Sequence, residues 1–339
     1  MRSRALFLFL LLTPLRAFAA EGAFCLQTFN VYGPAYASDT KWRIGQAAKA
    51  IARDGCEIVQ LQELWQKNQF AILENKLSPS GWAGLWADPL RGDQALIGLG
   101  TFVKGSISQA RSALYRANNG DGLLDRVRGL SGVQKGYTLI EASAAGSPAF
   151  LLINTHTHPT HEPTRLVQLL QLTEAIYEDP AAGETPLLFT ADINATPKSL
   201  EYAILRDLLL LRDGYAEANG GYGEECTYCA KNRYSWSRED RVIDFTLHRS
   251  GPRAKLHARN SGINLRGQGN PLSDHFGVRT EIEWEDRADE GLDASDDILT
   301  SRKRAAEDTL EAVLRALDGN PDSRLADGRA WARGFLLRL

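Results

Sequence analysis

The chain has 339 residues and 43% hydrophobic content, enough to bury a sizeable core and too much for a disordered polymer. With 39 basic residues against 42 acidic ones, its formal net charge is −3, which argues against a protein that grips nucleic acid through a broad basic face. The length suits one large domain or two ordinary ones.

Arg2 and Arg4 precede a short apolar run, Ala5 to Leu12, and Ala17-Phe18-Ala19 follows as a cleavage signal. The run is too short for an ordinary membrane span. Residues 1–19 are therefore expected to be a signal peptide, and the mature chain to be secreted or periplasmic. In an oxidising compartment Cys25, Cys56, Cys226 and Cys229 read as disulfides rather than as redox or metal thiols.

AFCLQTFNVYG predicts a first strand ending at Asn30. KWRIGQAAKAIARDG then sets Ile44, Ala47, Ala48 and Ile51 on one helical face, with Gly55 as its stop. CEIVQLQEL is a buried strand ending in Glu63. If these two strands are neighbours ending at one site, their starts are close as well, which predicts a Cys25–Cys56 bridge. GLGTFVK and KGYTLIEAS are further strands with a polar, Gly-rich connection, in which NNGDGLLD reads as a turn.

AFLLINTHTH is a strand carrying His156 and His158 at its end, spaced to share a face. The next segment puts Leu166, Leu169, Leu170, Thr173, Ile176 and Tyr177 on a helical stripe, with His161 as a capping or surface residue at its start. PLLFTADINATP is a strand ending in Asp192 and Asn194. A Leu-rich helix and a Gly-rich loop follow, the loop holding Cys226 and Cys229 close enough for a local bridge. RVIDFTLHR and LSDHFGVRTEIEW complete the strands. Strands and helices mixed at this density indicate an α/β or α+β layered sandwich.

Composition shifts after Trp284, where EDRADEGLDASDD carries seven acids against one arginine. The expected organisation is a catalytic domain over 20–285, then an acidic linker and helical extension over 286–339. In that extension Ala306, Leu310, Val313, Leu314 and Leu317 share one helical side. A terminal helix bearing Trp331, Phe335 and Leu339, with Arg329, Arg333 and Arg338 nearby, suits either an anionic membrane surface or docking on the catalytic domain.

Asn30, Glu63, His156, Asp192, Asn194, Asp244, Asp274 and His275 all fall where an apolar strand stops. Singly, such residues usually cap helices or open turns. Together they repeat one pattern, a buried strand delivering a polar group to its terminus, where sites are built. The oxygen donors of Glu63, Asp192, Asp274, Asn30 and Asn194 suit Mg²⁺, or Mn²⁺ or Ca²⁺, better than Zn²⁺. A hard ion beside an imidazole fits phosphodiester hydrolysis.

In this order FNVYG, LQELW, INTHTH, TADINATP, VIDF and PLSDH resemble the endonuclease/exonuclease/phosphatase superfamily. NVYGP, THTH and Lys135-Gly136 are similar to features of its neutral sphingomyelinase branch. The resemblance covers roughly residues 24–284. It implies a four-layer sandwich, two packed mixed β-sheets flanked by helices, here with a C-terminal helical extension. It implies that Glu63, with Asn30 and Asp274, holds the metal. Asp192 and Asn194 would position the attacking water and the phosphate oxygens, and His275, oriented by Asp244, would be the general base. His156, supported by His158, would bind the phosphoryl oxygen, and Lys135 would face the phosphate. Two departures stand out: Ala191 replaces a usual glycine, and SGINLRGQGNPLSDH lacks the aromatic hairpin tip of secreted bacterial sphingomyelinases.

The resemblance implies a secreted metal-dependent phosphodiesterase acting on phospholipid headgroups, with a phospholipid or membrane surface as its partner, no obligate protein partner and a monomeric chain.

The alternative is a secreted nuclease that turns the same site on DNA or RNA, against which the lack of a basic excess weighs. A third reading is a binding module with a dead site.

Overall fold

In the computed structural model, residues 21–87, 90–118, 134–287 and 296–339 are described. The expected signal peptide, the NNGDGLLD turn beyond Asn118 and most of the acidic linker lie outside them. Eleven strands form one hydrogen-bonded sheet: β1 (Glu21–Asn30), β2 (Ile58–Gln62), β3 (Trp82–Trp86), β4 (Gly100–Leu114), β5 (Gly136–Ala144), β6 (Phe150–His156), β7 (Leu187–Asp192), β8 (Arg212–Asp213), β9 (Asp244–Arg249), β10 (Ala254–Asn264) and β11 (Gly277–Asp286). Their order is β8-β9-β7-β6-β5-β4-β2-β1-β11-β10, with β3 also paired to β4.

The two expected sheets are the two halves of this ladder. The first residues of β4 pair with β2 and β3, and from Gly105 onward the same strand pairs with β5. Gly105 sits at the changeover, where an added Cβ would lie 2.1 Å from the Ser143 carbonyl oxygen. Any other residue would push β4 and β5 apart there.

Each half contains one parallel pair, β1 with β2 and β6 with β7, joined through a helix. Helix α1 (Thr40–Asp54) buries Ile44, Ala47, Ala48 and Ile51, as its spacing predicts, and stops at Gly55 in the left-handed conformation. Helix α2 (Lys67–Leu77) lies with it against the outer face of the first half, over Phe29, Val59 and Leu61. Helix α3 (Glu162–Tyr177) covers the second half, burying Leu166, Leu169, Leu170, Thr173 and Ile176. Tyr177 is half exposed.

The C-terminal helices α4 (Asp296–Asp318) and α5 (Ala326–Arg338) join α3 on that outer face. Ala306, Leu310, Val313, Leu317, Ala332 and Phe335 share a core cluster with Leu166, Leu170 and Phe189. Of the two alternatives for the tail, the structure takes docking: Phe335 is buried against the domain, its ring 5.9 Å from that of Tyr177.

Between the halves the packing changes along the strands. At one end Leu26, Ile58, Ile140, Phe150, Leu152 and Ile282 form an apolar cluster. Further along, Thr190 Oγ1 donates to Gln60 Oε1 at 3.0 Å and Gln62 Nε2 donates to Asn154 Oδ1 at 2.8 Å. Buried polar groups require partners, and these cross-sheet bonds lead up to the strand ends.

Candidate active site

Four strand ends of the second half lie in one row. Gly136 on β5 is opposite His156 on β6, His156 is opposite Asp192 on β7, and Asp192 is opposite Asp244 on β9. Lys135 precedes Gly136, and its Nζ lies 2.8 Å from His156 Nε2. On the facing half, Asn30 on β1 pairs with Gln62 on β2, so Glu63 is one residue beyond. Asp274 and His275 enter just before β11. Asn30 Nδ2 donates to Asp192 Oδ2 at 3.0 Å, joining the two rows.

The imidazole of His275 is hydrogen-bonded at one end and faces a carboxylate at the other. Its Nδ1 lies 2.8 Å from Asp244 Oδ2, and its Nε2 lies 3.7 Å from Asp192 Oδ2. His156 Nε2 is 3.4 Å from the same Asp192 oxygen. Asn194 gives its backbone N–H to Asp192 Oδ1 at 3.0 Å and its side-chain amide to the Thr157 carbonyl at 3.1 Å. It thereby ties Asp192 to the strand end that carries His156.

Glu63 (φ 58°) and Asn194 (φ 53°) both adopt the left-handed conformation. Asn enters this region readily; Glu does so at a cost that the surrounding structure must offset. Gly33 shows part of that constraint, because a Cβ there would meet the Glu63 carbonyl oxygen at 2.2 Å. The glycine of NVYGP is therefore needed for close approach of the β1 exit to Glu63.

Burial raises Glu63 to about 7, with Asp274 and Asp192 adding to the shift and Lys135 and His275 opposing it. Burial likewise raises Asp274, and lifts Asp244 to about 6 against the pull of His275. For Asp192 burial works against the charge, but His156, His275, Asn30 and Lys135 outweigh it and hold the carboxyl below its usual range. Burial also disfavours a charged His275, yet Asp244, Asp192 and Asp274 together raise it well above an ordinary imidazole. Burial and then Lys135 keep His156 neutral.

Crowded carboxyl groups whose ionisation is suppressed are what a divalent cation relieves, and the oxygen donors of Glu63, Asp274 and Asn30 suit a hard one. A second group, Asp192, Asp244 and His275, brings one ligand atom each to within 4.8 Å of the others. The three-histidine stretch forms no such group among the described residues. His158 Nδ1 instead accepts from the Thr160 and His161 amides, at 3.2 and 3.0 Å, and His161 caps α3.

All the strand-end residues singled out in the sequence come together, with Lys135 among them. Others went unread. Arg43, wholly buried on α1, donates to the carbonyls of Val31, Tyr32, Ser38 and Leu272, which fastens the β1 exit to the segment before Asp274. Trp65 of LQELW lies under Lys135, whose Nζ is 5.8 Å from the ring centroid. The intramolecular targets of Arg43 are carbonyls, which leave no signature in side-chain identity.

The profile of the endonuclease/exonuclease/phosphatase family matches residues 28–310, most of the chain. The chain belongs to that family. Sphingomyelin phosphodiesterase 2 of Homo sapiens is 24% identical over 266 residues, which cover 73% of this chain and 61% of that protein. This endonuclease/exonuclease/phosphatase protein thus spans under two thirds of that relative's length. Its fold is similar to that of D. rerio TDP2 complexed with a single-strand DNA product (TM-score 0.61, 15% identity, covering 77% of this chain and 98% of the other). It is also similar to a Bacteroides thetaiotaomicron mannosyl-6-phosphatase (TM-score 0.59, 17% identity, 76% and 99% covered). The fold shared with these structures is a mixed curled sheet flanked by helices.

Both expected bridges form, Cys25–Cys56 with Cα atoms 4.6 Å apart and Cys226–Cys229 with 5.4 Å. No helix among the described residues is long and apolar enough to cross a membrane.

Proposed function

We propose that this protein is a metal-dependent phosphodiesterase that hydrolyses phospholipid headgroups in the manner of a sphingomyelinase. The observation that carries the chemistry is His275, with Nδ1 on Asp244 and Nε2 turned toward Asp192 beside the carboxyls of Glu63 and Asp274. The likeness to sphingomyelin phosphodiesterase 2, together with the NVYGP, THTH and Lys135-Gly136 features, supports the lipid substrate. Two disulfides and the composition of residues 1–19 support export to an oxidising compartment.

In this reading His275 Nε2 takes a proton from the attacking water, and Asp244 holds the Nδ1 tautomer and stabilises the imidazolium that results. Asp192, fixed by Asn30 and Asn194, orients the water. Neutral His156 and Lys135 donate to the phosphoryl oxygens as charge builds on them. Glu63, Asp274 and Asn30 would hold a hard divalent ion such as Mg²⁺, which supplies Lewis-acid polarisation of the phosphoryl group. The Asp192, Asp244 and His275 group is less suited to that ion, because the 2.8 Å contact already commits His275 to Asp244.

The test is a panel of sphingomyelin, a lysophospholipid, phosphatidylinositol and plasmid DNA, each with Mg²⁺ and with EDTA. Mg²⁺-dependent release of phosphocholine from sphingomyelin is expected. Faster turnover of DNA than of any lipid would move the assignment to a nuclease, and activity surviving EDTA would remove the metal from it.

A further inference from the structure

Asp244 and His275 belong to opposite halves of the sheet, on β9 and just before β11, which are not neighbours in the ladder. Their 2.8 Å contact therefore depends on how the halves are held together at this end. One short loop bonds to both. Thr227, fully buried, accepts on Oγ1 from the backbone amides of Ile243 (3.0 Å) and Asp244 (3.2 Å). Its carbonyl accepts from the amide of Phe276, the residue after His275, at 2.7 Å. Tyr228 exchanges backbone bonds with Arg241 at 2.9 and 3.0 Å, and its ring lies 4.7 Å from the His275 imidazole. The Cys226–Cys229 bridge closes the chain around these two residues.

We propose that the Cys226–Cys229 loop is a positioning element for the acid–base pair, with Thr227 setting the separation of Asp244 from His275 and Tyr228 limiting the tilt of the imidazole. The loop follows ANGGYGEE, whose glycines give the chain much freedom, and covalent closure removes part of it. A displacement of about 1 Å is enough to forfeit much of a catalytic contact. The proposal rests on His275 being the base.

The experiment is steady-state kinetics on bis(4-nitrophenyl) phosphate with Mg²⁺, for Thr227→Val, Thr227→Ser, Tyr228→Leu and the Cys226→Ala/Cys229→Ala double variant, alongside His275→Ala. Thr227→Val should lower kcat about 10–100-fold, the range typical of groups that orient a ligating or catalytic side chain. KM and the Mg²⁺ activation constant should stay within about twofold of the parent. Thr227→Ser, which keeps the acceptor, should recover most of the loss, and the double cysteine variant should share it. Should Thr227→Val not fold, Tyr228→Leu decides, with the same selective fall in kcat expected. Parental kcat in Thr227→Val or, failing that variant, in Tyr228→Leu would overturn the proposal while an inactive His275→Ala left the base assignment intact. An active His275→Ala would instead overturn the assignment beneath it.

Discussion

The pair His275–Asp244 makes opposite demands on one proton. A base must be neutral to accept, yet three carboxyls raise the imidazole pKa well above its ordinary value. The rate should therefore rise with pH as His275 deprotonates. Asp244→Asn removes the first of those charges, so it should shift the acidic limb of the pH–rate profile to lower pH while reducing the plateau. His275→Ala should abolish that limb and cost about 10²–10⁴-fold in rate, with metal affinity nearly intact. Glu63→Ala should instead weaken Mg²⁺ binding and regain part of its activity at high Mg²⁺. A profile unchanged in His275→Ala contradicts this scheme. A different carboxylate is suited to a stability test. Glu217, near the opposite end of β9, bonds His248 at 2.6 Å and His257 at 2.8 Å and faces Arg212 at 3.2 Å. Burial works against its charge, but His248, then Arg212 and His257, bring it to about 2 from 4.5. Because the folded value is depressed, its contribution is full above about pH 4.5 and lost as pH falls through about 2. Glu217→Gln should cost less than about 1 kcal/mol at pH 7, because burial keeps His248 neutral there and leaves Arg212 as a charged partner, and denaturant titrations should show the gap closing with acid.

At the scale of elements, what could be read depended on periodicity. Strands buried on both faces announce themselves as apolar runs, and their ends marked Asn30, Glu63, His156 and Asp192 without any structure. The second part of β4 did not announce itself. GSISQARSAL, read as connection, is largely exposed and polar, and pairing with β5 alone makes it strand. Strand β10 was passed over for a similar reason, with alternate residues of AKLHARN buried and exposed and no long apolar run. Thr227 and Arg43 were hidden differently, since each bonds backbone groups, some of them distant in sequence, that come within reach only once the chain is folded. The tail was legible as an amphipathic helix but not as to its destination, because a membrane and a protein core ask for similar faces. Its docking carries a measurable consequence. Phe335→Ala removes a ring packed against Tyr177 and the α3 layer and should destabilise by about 3 kcal/mol. The activity of the folded fraction should be unchanged, because this layer lies on the outer face and the strand ends lie elsewhere. A loss of kcat without a loss of melting temperature would contradict that separation.

Over the whole molecule, charge separates the two phosphodiester substrates more sharply than fold does. The same sheet is found in a mannosyl-6-phosphatase and in a protein complexed with a single-strand DNA product, so its architecture is silent on what enters the site. A formal charge of −3 leaves little general attraction for a polyanion. Cations near the strand ends are engaged within the protein: Lys135 lies against His156, Arg43 is buried among carbonyls, and Arg241 donates to the Asn194 carbonyl. A nuclease that neutralises several phosphates releases counterions on binding, and its affinity falls steeply with salt, by about 10³–10⁵-fold between 50 and 200 mM for 6–10 contacts. A headgroup enzyme presents one phosphodiester to the site and has no such array to lose. For a neutral sphingomyelin–detergent micelle, kcat/KM at fixed Mg²⁺ should therefore change by less than about tenfold between 50 and 200 mM NaCl, with a log–log slope near one contact. The measurement is a salt titration of kcat/KM on that micelle and on single-stranded DNA. A steep slope on DNA together with turnover exceeding that of the lipid would show that a phosphate-binding track exists despite the overall acidity, and would reassign the substrate.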